Sequence, residues 1–159
     1  MRGMQGLTLL ELICTLILLA LLFLLSVPSG LSLFNKNQLQ VAEDEISTAI
    51  CYARKMALLL DARLALTPID DSGDWSKGML LFVDNKKHKY HQGDKLLHQW
   101  KWHFRGLQIS WKGFQSNSYL LFANNLNHAA TSGHFDLLTV ESNHAKLVVN
   151  RFGRVVSQP

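Results

Sequence analysis

The sequence predicts an α+β chain, a long N-terminal helix laid against a head built of an antiparallel β-sheet or small β-sandwich. Three observations carry this. Between Leu7 and Val27, 17 of 21 residues are apolar. From Leu39 to Leu60 the apolar residues recur at steps of three and four, and from Arg63 onward short apolar runs of period two alternate with turn residues. A length of 159 residues allows one domain and a short appendage. The order reads as a leader at 1–6, a membrane segment at 7–27, an amphipathic continuation at 28–62 and a β-rich head at 63–159.

Composition removes several classes. With 48% hydrophobic and 18% charged residues the chain is not of the disordered kind. Two Cys without a CxxC spacing provide neither a disulfide framework nor a zinc ribbon. Charge is uneven: residues 1–74 carry five basic and eight acidic side chains, net −3, and residues 75–159 carry eleven and four, net +7. The C-terminal half is therefore suited to an anionic partner such as nucleic acid or a phospholipid surface.

As a helix, residues 7–27 span about 31 Å, the thickness of a bilayer's hydrocarbon core. Leu16-Ile17-Leu18-Leu19 and Leu21-Leu22-Phe23-Leu24-Leu25 are apolar on every side, as lipid exposure requires. Glu11 interrupts the run, and an ionised carboxylate at mid-bilayer costs about 2.5–3.5 kcal/mol. Either it lies near one end and reaches the headgroups, or another chain supplies its cation. A conventional signal peptide cut near Val27-Pro28-Ser29, releasing a soluble protein, is the alternative for the segment as a whole.

Leu39, Ala42, Ile46, Ala49, Ile50, Ala53, Met56, Ala57 and Leu60 form one helical stripe, with Glu43, Asp44, Glu45, Arg54 and Lys55 between them. That stripe packs under a sheet and extends the membrane helix into one rod. Cys14 and Cys51 then stand about 55 Å apart along the axis, well beyond disulfide reach. Strands are expected near Leu64–Thr67, Met79–Val83, Leu96–Trp102, Leu107–Trp111, Tyr119–Phe122, Phe135–Glu141, Lys146–Phe152 and Arg154–Ser157.

Gly6-Leu7-Thr8-Leu9-Leu10-Glu11 resembles the class III leader of type IV pilins and pseudopilins. The resemblance implies cleavage by a prepilin peptidase between Gly6 and Leu7, and N-methylation of Leu7. It also implies that Glu11, fifth in the mature chain, pairs with the N-terminal amine of a neighbouring subunit during assembly. Such a partner answers the energetic problem of a lone acid, because a buried charge is tolerated when paired. Pro28, twenty-second from Leu7, matches a position where many pilins have a helix-kinking proline. Leu7 stands where most members have Phe.

Further landmarks resemble the GspH/FimT family of minor pseudopilins. They are Ala53-Arg54, Gly73-Asp74-Trp75 with Gly78, Phe82 and Asp84, Gly133-His134-Phe135, and Leu147-Val148-Val149 followed by Gly153-Arg154-Val155. This implies a structural subunit of a type II secretion pseudopilus or type IV pilus. It would be a single-pass protein of a Gram-negative inner membrane with its head in the periplasm, filament-incorporated after assembly. Its partners would be other pilin or pseudopilin subunits, prepilin peptidase and inner-membrane lipid.

No GxSxG elbow, P-loop or HExxH motif occurs, and no triad can be assembled from the sequence alone, so the chain reads as a non-enzyme without cofactor. His88 and His91 form HxxH, but Lys86, Lys87 and Lys89 crowd the same stretch; a solvated loop is expected there and no metal. Nucleic acid is the second functional reading. Lys86, Lys87, Lys89, Lys101, Arg105, Lys146, Arg151 and Arg154 are its candidate contacts. Tyr90, Trp100, Trp102, Trp111 and Phe114 interleave with cations as single-strand stacking requires. Members of the family that bind DNA during natural transformation carry a C-terminal GRxR. This chain reads Gly153-Arg154-Val155-Val156 and lacks the second Arg.

Overall fold

The computed structural model describes residues 9–70, 73–104, 106–125, 129–140 and 143–158, without the side chains of 25–36. The chain divides into two compact units, residues 1–37 and 38–159. Helix α1, Leu9–Leu59, contributes to both.

In the first unit the described side chains, Leu9 to Leu24, are all exposed, with Leu9 at 78% and Leu24 at 72%. Thr15 satisfies its hydroxyl by donating to the Leu12 carbonyl at 2.8 Å. Among the described residues no helix is long and apolar enough to cross a membrane. The expected segment 7–27 begins before those residues, and its last three side chains, 25–27, are outside them. The leader 1–6 lies outside them, and so does the side chain of Pro28.

The second unit has its own core. Ala42, Ile46, Ala49, Ile50, Ala53 and Ala57 are fully buried on one face of α1, the middle of the stripe that the spacing predicts; Leu39 and Met56 are partly buried, and Leu60 is exposed beyond the end of the helix. The helix ends in a left-handed turn: Asp61 has φ 49°, and the Ala62 N–H donates to the Ala57 carbonyl at 3.3 Å. This 6→1 closure satisfies a terminal carbonyl and turns the chain toward the sheets.

Eight strands follow: β1 Leu64–Pro68, β2 Gly78–Val83, β3 Leu96–Lys101, β4 Leu107–Gly113, β5 Leu120–Phe122, β6 Gly133–Thr139, β7 His144–Val149 and β8 Val155–Gln158. They form two antiparallel four-stranded sheets, ordered β3-β2-β1-β5 and β4-β6-β7-β8. One core joins the helix to both: Leu66, Leu81 and Phe122 from the first sheet meet Ile109, Trp111, Phe135 and Leu147 from the second. The α+β expectation holds.

Two expectations about the strands are corrected. The period of two holds in the second sheet, where β4 alternates buried and exposed along its length. It fails in β1 and β5, which are buried at every position, and in β2, where only Val83 is less than buried. There a second cluster of Ala65, Leu80, Phe82 and Leu121, flanked by Ile69, Tyr90 and Tyr119, covers the far face of the sheet. The expected strand 146–152 stops at Val149, because the Asn150 carboxamide oxygen accepts the N–H groups of Phe152 and Arg154, each at 3.0 Å, and closes a turn with Gly153 at φ 69°. A 3-10 turn, Trp75–Lys77, precedes β2, capped by Asp74, which accepts the Ser76 N–H at 2.9 Å.

Candidate functional site

The assembly residues fall unevenly. Gly6 and Leu7 lie outside the described residues. Glu11 sits in the first turn of α1 and is exposed, where the helix dipole favours an acid. Around it run sixteen described residues with exposed side chains, Glu11 among them, and large apolar ones predominate. Such an all-round apolar surface is stable only when lipid or other helices cover it.

The candidate nucleic-acid contacts do not converge. Lys86, Lys87 and Lys89 occupy the 84–95 loop at one end of the β2–β3 hairpin. Lys101 pairs with Gly78 at the other end, about 16 Å along the strand. Lys146 lies on β7, Arg151 and Arg154 lie in or beside the β7–β8 turn, and Arg105 is outside the described residues. The interleaved aromatics divide as well. Trp102 and Trp111 are 8% and 2% exposed, and the Trp111 indole donates to the Ser116 carbonyl at 2.9 Å. Neither is a platform for a base, whereas Phe114 is 91% exposed.

The HxxH pair is structural. His88 Nδ1 lies 2.7 Å from Asp84 Oδ1, with its ring against Tyr119 at 4.6 Å, while Arg63 Nε holds Asp84 Oδ2 at 3.1 Å. His91 Nδ1 instead meets the Lys89 carbonyl at 3.0 Å. Among the described residues no group of three or more His, Cys, Asp or Glu is placed to hold a metal ion. Cys14 and Cys51 are free and exposed.

The structure assembles instead a cluster on the outer face of the second sheet. The β4–β6–β7 register places Lys112 beside His134, and Asp136 beside Lys146, with His144 one step away. Lys112 Nζ pairs with Asp136 Oδ2 at 2.8 Å, and His134 Nε2 and His144 Nε2 each stand 3.6 Å from Oδ1. Partial burial pushes the Asp136 carboxyl up, but the hydrogen bond from Lys112, then the charges of His134, Lys112 and His144, outweigh it and hold the group below its ordinary value. Sequence reasoning singled out neither Asp136 nor His144. Strand alternation puts 134, 136 and 138 on one face, yet only the register between strands brings 112 and 144 to them.

No protein-family model and no curated protein sequence matches the chain. Solved structures do, among them two of one protein. Both are crystal forms of the type IV minor pilin FimU of Pseudomonas aeruginosa. The first has a TM-score of 0.62 and 20% identity over 79% of this chain and 91% of that one. The second has a TM-score of 0.58 and 20% identity over 76% and 92%. The fold is that of a pilin, an N-terminal helix packed on an antiparallel β head.

Proposed function

We propose that this chain is a minor pilin-type subunit of a type IV pilus or related filament, and that its work is assembly rather than catalysis. One observation carries the reading: residues 38–159 close a core of their own, while the apolar side chains of 9–24 are left bare. A chain of pilin fold with an uncovered apolar helix needs lipid before assembly and neighbouring helices after it. On this reading prepilin peptidase cuts between Gly6 and Leu7 and Leu7 is N-methylated. Residues 7–27 hold the subunit in the inner membrane with the head in the periplasm. Glu11 pairs with a neighbour's N-terminal amine and sets axial register. The type IV pilus is favoured over a secretion pseudopilus by the FimU likeness alone.

The test is the mass of the mature N-terminus together with filament incorporation of Glu11→Leu. An N-methylated Leu7 is expected, with the variant inserted in the membrane but absent from filaments. Normal incorporation of the variant, or a mature chain beginning after Ser29, overturns the proposal.

A further inference from the structure

We propose that the outer face of the second sheet, at the end near the β7–β8 turn, docks the acidic surface of α1 from a second copy of this chain. The inference deepens the subunit reading above and rests on it. Lys112, Phe114, His134, Val148 and Arg151 line a shallow depression of about 710 Å³. Phe114 is almost wholly exposed there, and a bare aromatic ring beside cations is the usual anchor of a protein interface. The Arg151 guanidinium lies over the Phe152 ring at 5.0 Å, which steadies it without neutralising it.

The charge of this face is one-sided. Among the described residues Lys112, Lys146 and Arg151 stand against one carboxylate, Asp136, whose side chain is 14% exposed and already paired with Lys112. Three cations less one anion leave +2 with neutral imidazoles. His134 and His144 both face the same Asp136 oxygen. Asp74, near Gln108 and His144 at the opposite end of the face, turns Oδ1 to the N–H and hydroxyl of Ser76.

The same unit carries the complement. Val41, Asp44, Glu45 and Thr48 are exposed on α1 at helical spacing, so one apolar side chain and two carboxylates share a surface. Among the described residues Asp44 and Glu45 make no ion pair; Glu43 beside them accepts the Ser157 hydroxyl at 2.8 Å. An apolar and acidic helix surface matches an apolar and basic depression. Because the two surfaces differ, the contact is heterologous and propagates head to tail, as a filament requires.

Sedimentation of the full chain in detergent micelles tests this. Self-association is expected at low salt, weaker at about 0.5 M salt where charges are screened. Arg151→Glu alone, and Asp44→Lys with Glu45→Lys, should each weaken it about fivefold or more, and an equimolar mixture of the two should recover it. Phe114→Ser gives an uncharged route to the same loss, and unchanged tryptophan emission checks folding in every variant. A monomeric wild type, association indifferent to these charges, or a mixture no tighter than either variant alone overturns the proposal. The mass of the mature N-terminus is untouched by these substitutions, so the subunit reading stands or falls separately.

Discussion

Ile46 and Leu16 sit on one helix, are both large and aliphatic, and should respond oppositely to truncation. Ile46 is fully buried in the head core, while Leu16 is 57% exposed in the other unit. Ile46→Ala removes three buried carbons, about 2.4 kcal/mol of transfer free energy at about 0.8 per methylene. The cavity adds to that, because the fully buried Ala42, Ala49 and Ile50 around it belong to a core shared by two sheets and collapse only in part. A loss of about 3 kcal/mol follows, or a midpoint about 12 °C lower for a unit of this size. Leu16→Ala should leave head stability within about 0.5 kcal/mol. Urea unfolding followed by tryptophan emission isolates the relevant unit, since all four Trp fall between residues 75 and 111. Equal effects of the two substitutions, or a loss below about 1 kcal/mol for Ile46→Ala, refute the assignment of core and bare surface.

A Cβ on Gly78 would collide with the Trp100 carbonyl at φ 127°, whereas at Gly73, φ 74°, it meets nothing within 4 Å. Gly78→Ala should therefore cost about 2–4 kcal/mol in the same unfolding assay and Gly73→Ala about 1 kcal/mol, from backbone strain alone. The Asp136 carboxyl is held below its ordinary 3.8, so its contribution is present above that value and lost as pH falls through the folded-state one. Asp136→Asn should cost about 1 kcal/mol at pH 7, with the gap between wild type and variant closing only as pH falls through the lowered folded-state value in urea titrations. Asn150→Ala removes the acceptor of two turn N–H groups. It should cost about 1–2 kcal/mol and speed amide exchange in β8.

The elements with local causes were legible in the sequence. The buried helical stripe from Ala42 to Ala57 follows from spacing alone, and all eight strands appear close to their expected places. What was hidden depends on contacts distant in sequence. The strand orders put β5 beside β1 and β6 beside β4, and no local pattern encodes such crossovers. Burial of both faces of β1 and β2 depends on Tyr90 and Tyr119 folding over the sheet. The 3-10 turn at Trp75 was not expected between the strands, although Asp74-Trp75-Ser76 carries its own cap. For the site the same rule applied. The basic residues looked like one track because they are dense in sequence, but strand geometry sends Lys86–Lys89 and Lys101 to opposite ends of a hairpin. Asp136 and its cationic neighbours, distant in sequence, became a cluster only through register.

The two halves of this chain solve the burial problem by different means, and that difference is where function resides. In the head, the described buried side chains pack against one another within unit 38–159. In residues 9–24 the chain spends its most apolar sequence on a surface with no cover of its own. Covering those side chains with water is unfavourable by roughly 25 cal/mol for each Å², so the helix is driven toward lipid or toward other helices. Lipid accepts any apolar helix without choosing a register, whereas on the proposed reading a carboxylate at Glu11 would make register count, because a displaced neighbour would leave an acid in an apolar medium. On the same reading, a head with a core of its own would leave its surface charge for contacts with neighbours. The concentration of Lys112, Lys146 and Arg151 on one sheet face, with Asp44 and Glu45 on the helix, is how a subunit so built would fix the orientation of the next.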